Sequence, residues 1–207
     1  MLEKYPDIYI ISDEIYEHIN FTDAHFSIGT IPSMKERTIT VNGVSKGFAM
    51  TGWRVGFIGA PLWIAKACNK VQGQITSATC AIAQKAVETA MLAEPKAVTT
   101  KMKNTFLSRR DMMLKALNEI PGIKCNTPKG AFYIFPDVSY YFGKKDGENT
   151  IANANDLCMY LLNKAHVALV SGTAFGNPEC VRISYAAADD KLMEAVKRMK
   201  EKLVQLK

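Results

Sequence analysis

Two short apolar runs, residues 38–41 and 55–60, enclose a stretch of small residues with a single lysine, Lys46, and, eight residues on, a single arginine, Arg54. Short continuous apolar runs suit buried strands. The segment is therefore expected to fold as strand, tight loop and strand, with an amine on the loop. Gly43 and Gly47 beside it would let a ligand approach the backbone closely. An amine presented in this way can act as a nucleophile. A loop lysine is more often simply solvated, and the rest of the chain has to decide between the two readings.

A third apolar run, Ile8-Tyr-Ile-Ile-Ser12, reads as a strand of a parallel sheet and ends in Asp13-Glu-Ile-Tyr16. Pro61 suits the first turn of a helix over 62–73. An alanine-rich helix, expected to be buried, follows over 78–93 with Ser77 as its N-cap. A longer helical pattern over 96–120 places Val98, Met102, Phe106, Met113, Leu117 and Ile120 near one face, and Pro121-Gly122 stops it. A domain boundary is expected at Glu94-Pro95, giving domains 1–94 and 95–207.

Beyond the boundary, strands are expected over 130–135, 167–170 and 180–186, and helices over 154–165 and 189–205. Asp189 and Asp190 suit the positive end of the last helix. The polar stretch 140–153 reads as a mobile loop. The first domain looks like a piece of an α/β sheet and the second like a smaller α+β domain. So few strands make the first hard to close around a core.

Composition narrows the function. Hydrophobic residues make up 48% and charged residues 22%, as in ordinary globular proteins. No run is long enough to span a membrane, and the N-terminus lacks signal-peptide features, so a cytoplasmic location is expected. Five cysteines without C-x-x-C spacing and three histidines without ligand spacing give no metal site. The net charge of +6 comes largely from lysines between apolar helical positions, as in 96–103 and 197–207, which favours solvated helix faces. Basic and aromatic residues do not interleave as in a nucleic-acid-binding module. A basic balance also suits small anionic substrates.

Five segments share one further property. Ser-Asp-Glu-Ile-Tyr-Glu (12–17), Ser-Lys-Gly-Phe-Ala-Met-Thr-Gly-Trp-Arg-Val-Gly (45–56), Gly-Ala-Phe-Tyr (130–133), Gly-Thr-Ala-Phe-Gly (172–176) and Val-Arg-Ile-Ser-Tyr-Ala (181–186) resemble, in order, the class I and II aminotransferases, pyridoxal 5'-phosphate enzymes of fold type I. The wording around Lys46 and Arg54 looks most like bacterial aspartate aminotransferases. The resemblance covers essentially the whole chain and implies the C-terminal part of the fold type I large domain (1–94) followed by the α+β small domain (95–207).

The resemblance also implies roles, each with a physical reason. Lys46 would be the Schiff-base lysine and then the base that moves the substrate α-proton. Asp13, at a strand end where α/β sheets place ligands, would keep the pyridine nitrogen protonated. Tyr16 would donate to the phenolic oxygen of the cofactor, and Arg54 would grip its phosphate. Arg182 would take the substrate α-carboxylate, with Phe132 and the 172–176 loop at the mouth of the site. Thr76-Ser77 would lie near the cofactor of a dimer partner.

The resemblance is incomplete. The family's phosphate-cradling loop, its ring-stacking aromatic, its Asn-Pro-x-Asn-Pro-Thr-Gly segment and a tyrosine supplied across the dimer have no counterpart among these residues. Gly43 stands where many members carry a serine, and Ser171 where proline is usual. The expected activity is amino transfer from aspartate or a related amino acid to 2-oxoglutarate in amino-acid biosynthesis, by a homodimer, with this chain alone weakly active or inactive. The alternatives are another reaction on the same scaffold, such as a carbon–sulfur β-lyase, and a non-catalytic interaction domain.

Overall fold

The computed structural model describes residues 1–22, 24–92 and 95–207. They form two compact units, Met1–Lys103 and Asn104–Lys207. The boundary expected at Glu94-Pro95 begins on a residue outside the described ones, and the division into units falls within a helix, α3 (Pro95–Asn118).

The first unit is built on three strands, β1 (Ile10–Asp13), β2 (Thr38–Gly43) and β3 (Gly56–Gly59), in that spatial order. β1 runs parallel to β2 with Asp13 opposite Val41, and β3 runs antiparallel with Gly56 opposite Gly43. Both strand ends thus meet at the turn that carries Lys46. At Gly43 a Cβ would lie 2.9 Å from the Val55 carbonyl oxygen, so the close β2–β3 crossing explains glycine there.

Two helices follow, α1 (Leu62–Ile75) and α2 (Ala81–Leu92). Ser77 does not cap α2, as the sequence suggests. It sits in the turn after α1 at φ 65°, and α2 begins four residues later. Nor is α2 buried: Ala83 alone is covered, while Ile82 is 76% exposed. None of the residues of α1 is buried.

The second unit holds a sheet ordered β4 (Tyr133–Ile134), β8 (Val181–Ser184), β7 (Val170–Ser171), antiparallel throughout. Helices α4 (Ala154–Ala165) and α5 (Asp189–Leu203) match the expected spans closely. Asn153 caps α4 by accepting from the Asn155 and Asp156 amides, and Asp189 and Asp190 occupy the first turn of α5. Leu157, Leu161, Ile183, Tyr185, Val196 and Met199 belong to one continuous core, which α3 joins through Met113 and Leu117. The apolar face expected along α3 does not extend to Val98, which is 58% exposed.

β4 is shorter than the expected 130–135 because Ala131 turns the chain at φ 59° and Asp137 leaves to bridge Lys124 and Cys180. The stretch expected as a loop, 140–153, instead contains a hairpin, β5 (Lys145–Asp146) with β6 (Asn149–Thr150). Tyr160 anchors it by donating to Asp146 Oδ2 at 2.9 Å. Among the described residues no helix is long and apolar enough to cross a membrane, and no cluster of three or more His, Cys, Asp or Glu could hold a metal ion.

Candidate active site

The end of β1 and the turn after β2 frame a cleft of about 450 Å³, lined by Asp13, Asn42, Ser45, Lys46, Thr51 and Arg54 among others. Three of the four cofactor-site residues singled out in the sequence, Asp13, Lys46 and Arg54, therefore share one cavity. Tyr16, half-buried one turn after Asp13, is not among its lining residues. Arg182 lies in the second unit, on β8. Phe132 packs against the core of that unit.

Each position has a local cause. Asp13 is the last residue of β1, and its Oδ1 accepts from the Ile15 amide at 3.2 Å, which closes the turn below it. Lys46 is carried on a turn pinned from beneath by Val44, which is fully buried with Val55 and Ala83. The turn is closed by the Ala49 amide donating to the Lys46 carbonyl at 3.2 Å and the Met50 amide to the Val44 carbonyl at 3.3 Å. Arg54 ends a short 3₁₀ turn (Thr51–Trp53) in the left-handed conformation, φ 56° and ψ 48°, and donates to the Thr51 carbonyl at 3.0 Å. A larger cavity of about 850 Å³ shares Arg54 but is otherwise lined by groups such as Trp53, Gln72, Thr76 and Cys80, with neither a carboxylate nor a second cation.

Two supports were not marked by the sequence. Glu14 is buried beside Asp13, and its carboxylate accepts from Ser27 at 2.7 Å and Ser12 at 3.0 Å, with His25 Nε2 at 2.9 Å. Burial pushes this carboxyl upward, but the bonds from Ser27, His25 and Ser12 outweigh it and hold the group below the usual glutamate value. The second support is His18. A Cβ on Gly47 would lie 2.6 Å from its ring, so only glycine lets the Lys46 turn rest on the imidazole. His18 also lies 3.4 Å from Glu17, whose carboxylate accepts from Asn42 Nδ2 at 2.8 Å. Gly47 was the available signal, but its partner is about thirty positions upstream and no spacing rule reaches it.

In the second unit the guanidinium carbon of Arg182 lies 4.4 Å from the ring centroid of Tyr133 and 4.2 Å from that of Phe175. Among the described residues these two rings are the partners of the guanidinium. Phe175 reaches it because Gly172, where a Cβ would lie 2.3 Å from the Asn177 carbonyl oxygen, permits a tight 3₁₀ turn over Gly172–Phe175 that Gly176 ends at φ 81°.

An amine, a sheet-end carboxylate and a guanidinium round one cleft, on a mixed α/β unit, define a site for a ligand bearing both an anion and an electrophilic or basic centre. The sequence model of aminotransferase class I and II matches residues 1–199, and the chain belongs to that family. It is 49% identical, over all of its length and 44% of the relative's, to the bifunctional aspartate aminotransferase and glutamate/aspartate-prephenate aminotransferase of Petunia hybrida. It is 41% identical to the aspartate/prephenate aminotransferase of Nitrosomonas europaea, covering 96% of this chain and 51% of that one. The crystal structure of the aspartate aminotransferase from Rhizobium meliloti superposes with a TM-score of 0.93 at 39% identity, over 100% of this chain and 52% of that one. The fold is thus part of a fold type I aminotransferase, and the chain spans about half the length of the relatives it matches.

Proposed function

We propose that this chain carries the lysine-bearing half of a pyridoxal-phosphate-dependent aminotransferase that passes the amino group of aspartate or a related amino acid to 2-oxoglutarate. The observation that carries the reading is the shared cleft of Asp13, Lys46 and Arg54. This donor set fits the cofactor: an amine for its aldehyde carbon, a carboxylate for its ring nitrogen and a guanidinium for its phosphate. Bound there, the cofactor would supply an electron sink for charge developing on the substrate α-carbon.

The chain's own groups divide the rest of the work. Lys46 Nζ would be the nucleophile and then the base that moves the α-proton. The Asp13 carboxylate would hold a proton on the ring nitrogen, and the Tyr16 hydroxyl would donate to the ring's phenolic oxygen. Arg54 would bind the phosphate through its fork, and Arg182 the substrate α-carboxylate. The names of the relatives favour amino transfer over a β-lyase reaction. A second, comparable length of polypeptide is a required partner in this reading. α1 has no buried residue, and among the described residues β1 and β3 are the two edges of the sheet. A homodimer of the completed enzyme and a reducing, cytoplasmic setting complete the proposal, the latter supported by five free thiols.

The test mixes the purified chain with pyridoxal phosphate, alone and with the part of the Rhizobium meliloti protein that it does not match, and reduces with borohydride. A label on Lys46 that is absent from Lys46→Ala, together with aspartate-dependent loss of the visible absorbance band, is the expected result. A label spread over surface lysines, unchanged in Lys46→Ala, would overturn the assignment.

A further inference from the structure

The Arg182 guanidinium lies over two aromatic rings, those of Tyr133 and Phe175. Val181 and Ile183 on either side of it are buried, so strand alternation sends the Arg182 side chain to the opposite face of β8. On that sheet Tyr133 pairs with Ser184 and Ile134 with Ile183, and the Val181 amide donates to the Pro136 carbonyl at 3.1 Å. This register sets Phe135 across from Arg182 and Tyr133 on the diagonal, within reach of a long side chain. Phe135 in turn meets Phe175 edge-on, at 6.2 Å and 89°. The second ring is therefore braced by the strand opposite the arginine, while its own turn is shaped by Gly172 and Gly176.

A flexible arginine pays in side-chain entropy for each fixed geometry it adopts. Ring faces attract the cation without supplying an oxygen acceptor, so they can hold the guanidinium and leave its N–H groups to a ligand. We propose that Tyr133 and Phe175 are positioning residues. They hold the Arg182 guanidinium in place before substrate arrives, so that its N–H fork receives a carboxylate at small entropic cost. The inference rests on the reading of Arg182 as the seat of a substrate carboxylate. It adds that the affinity of this seat depends on two rings that need not touch the substrate.

The test follows the side-chain Nε–H resonance of Arg182 in the isotope-labelled full chain during titration with succinate. Phe175→Leu and Tyr133→Leu keep bulk but remove a ring face; each is expected to weaken succinate about fivefold, the size of one cation–π contact. Phe175→Tyr and Tyr133→Phe keep a face and are expected to bind as the parent does, a rescue that a purely structural role would not produce. Equal affinity in the leucine variants and the parent would overturn the positioning role and leave the carboxylate seat intact. An Arg182 signal that ignores succinate in the parent chain would remove the seat itself, and the proposal with it.

Discussion

Arg54 and Ala49 lie on the same turn and share a left-handed backbone, at φ 56° and 53°. For an L-residue with a Cβ this region costs roughly 1–2 kcal/mol. Glycine would avoid that cost but adds unfolded-chain entropy worth about 0.5–1 kcal/mol. The difference predicts that Ala49→Gly raises the unfolding free energy of the first unit by about 0.5–1 kcal/mol, read from urea denaturation. Arg54→Gly removes the same strain but also loses the bond to the Thr51 carbonyl, which is itself worth about 1 kcal/mol. It should therefore be nearly neutral for stability while weakening phosphate binding in the cleft. Strain retained at Arg54 is then a property of the site, since a conformationally easier residue would leave the cleft without its guanidinium. An unchanged phosphate affinity in Arg54→Gly would refute that account.

At the scale of elements, the junction after β1 depends on Glu14. Its carboxyl is held below the ordinary glutamate value in the folded chain, so its contribution to stability is present above the unfolded value near 4.5. That contribution is lost as pH falls through the lower, folded value. Glu14→Gln should therefore be less stable than the parent at pH 7, because the bonds from Ser27 and His25 weaken. The two should converge as pH is brought well below 4.5, by denaturant titration at each pH. A constant gap across the range would mean that the carboxylate's charge does no work there. The sequence marks Asp13 and Tyr16 through a recognisable segment but not the role of Glu14, because its partners His25 and Ser27 stand eleven and thirteen residues on. The hairpin at 145–150 is hard to read for a different reason. Asp146-Gly147 is a turn signal, but its flanking residues are charged and polar and lack the alternation that marks a strand. Helix α2 was legible as a helix and illegible as an exposed one, since burial depends on what packs against an element. Asp13, Lys46 and Arg54, three of the residues that line the cleft, stand out in the sequence because each sits in a short, chemically distinctive segment. Their support by His18, and the rings around Arg182, arise from pairings that only the folded chain makes.

Across the whole molecule, the apolar surface is unequally used. Among the described residues of the first unit the buried apolar side chains are Ile19, Met34, Val44, Val55 and Ala83, while those of the second, Cys180 apart, form one large continuous core. The first unit instead exposes Ile11, Trp63, Ile75, Ile82 and Leu92. Burying a large aliphatic or aromatic side chain is worth roughly 1.5–3 kcal/mol. These five side chains alone thus represent roughly 7–15 kcal/mol of stabilisation not realised in the chain by itself, comparable to the whole stability of a typical domain. Amide exchange should follow this imbalance. Amides of α4, α5 and β8 should be protected to the level of global unfolding, and those of α1 and α2 should open by local fluctuations at much lower cost. Supplying the unmatched part of the Rhizobium meliloti relative should slow exchange in α1, β1 and β3 by at least tenfold and leave α4 and α5 unchanged. Trp63→Asp should abolish that protection without altering the second unit, because a charge on the exposed face of α1 harms only a surface meant to be covered. Protection of α1 as high as that of α4 in the chain alone would show that the first unit is already complete, and that its exposed apolar side chains are ordinary surface.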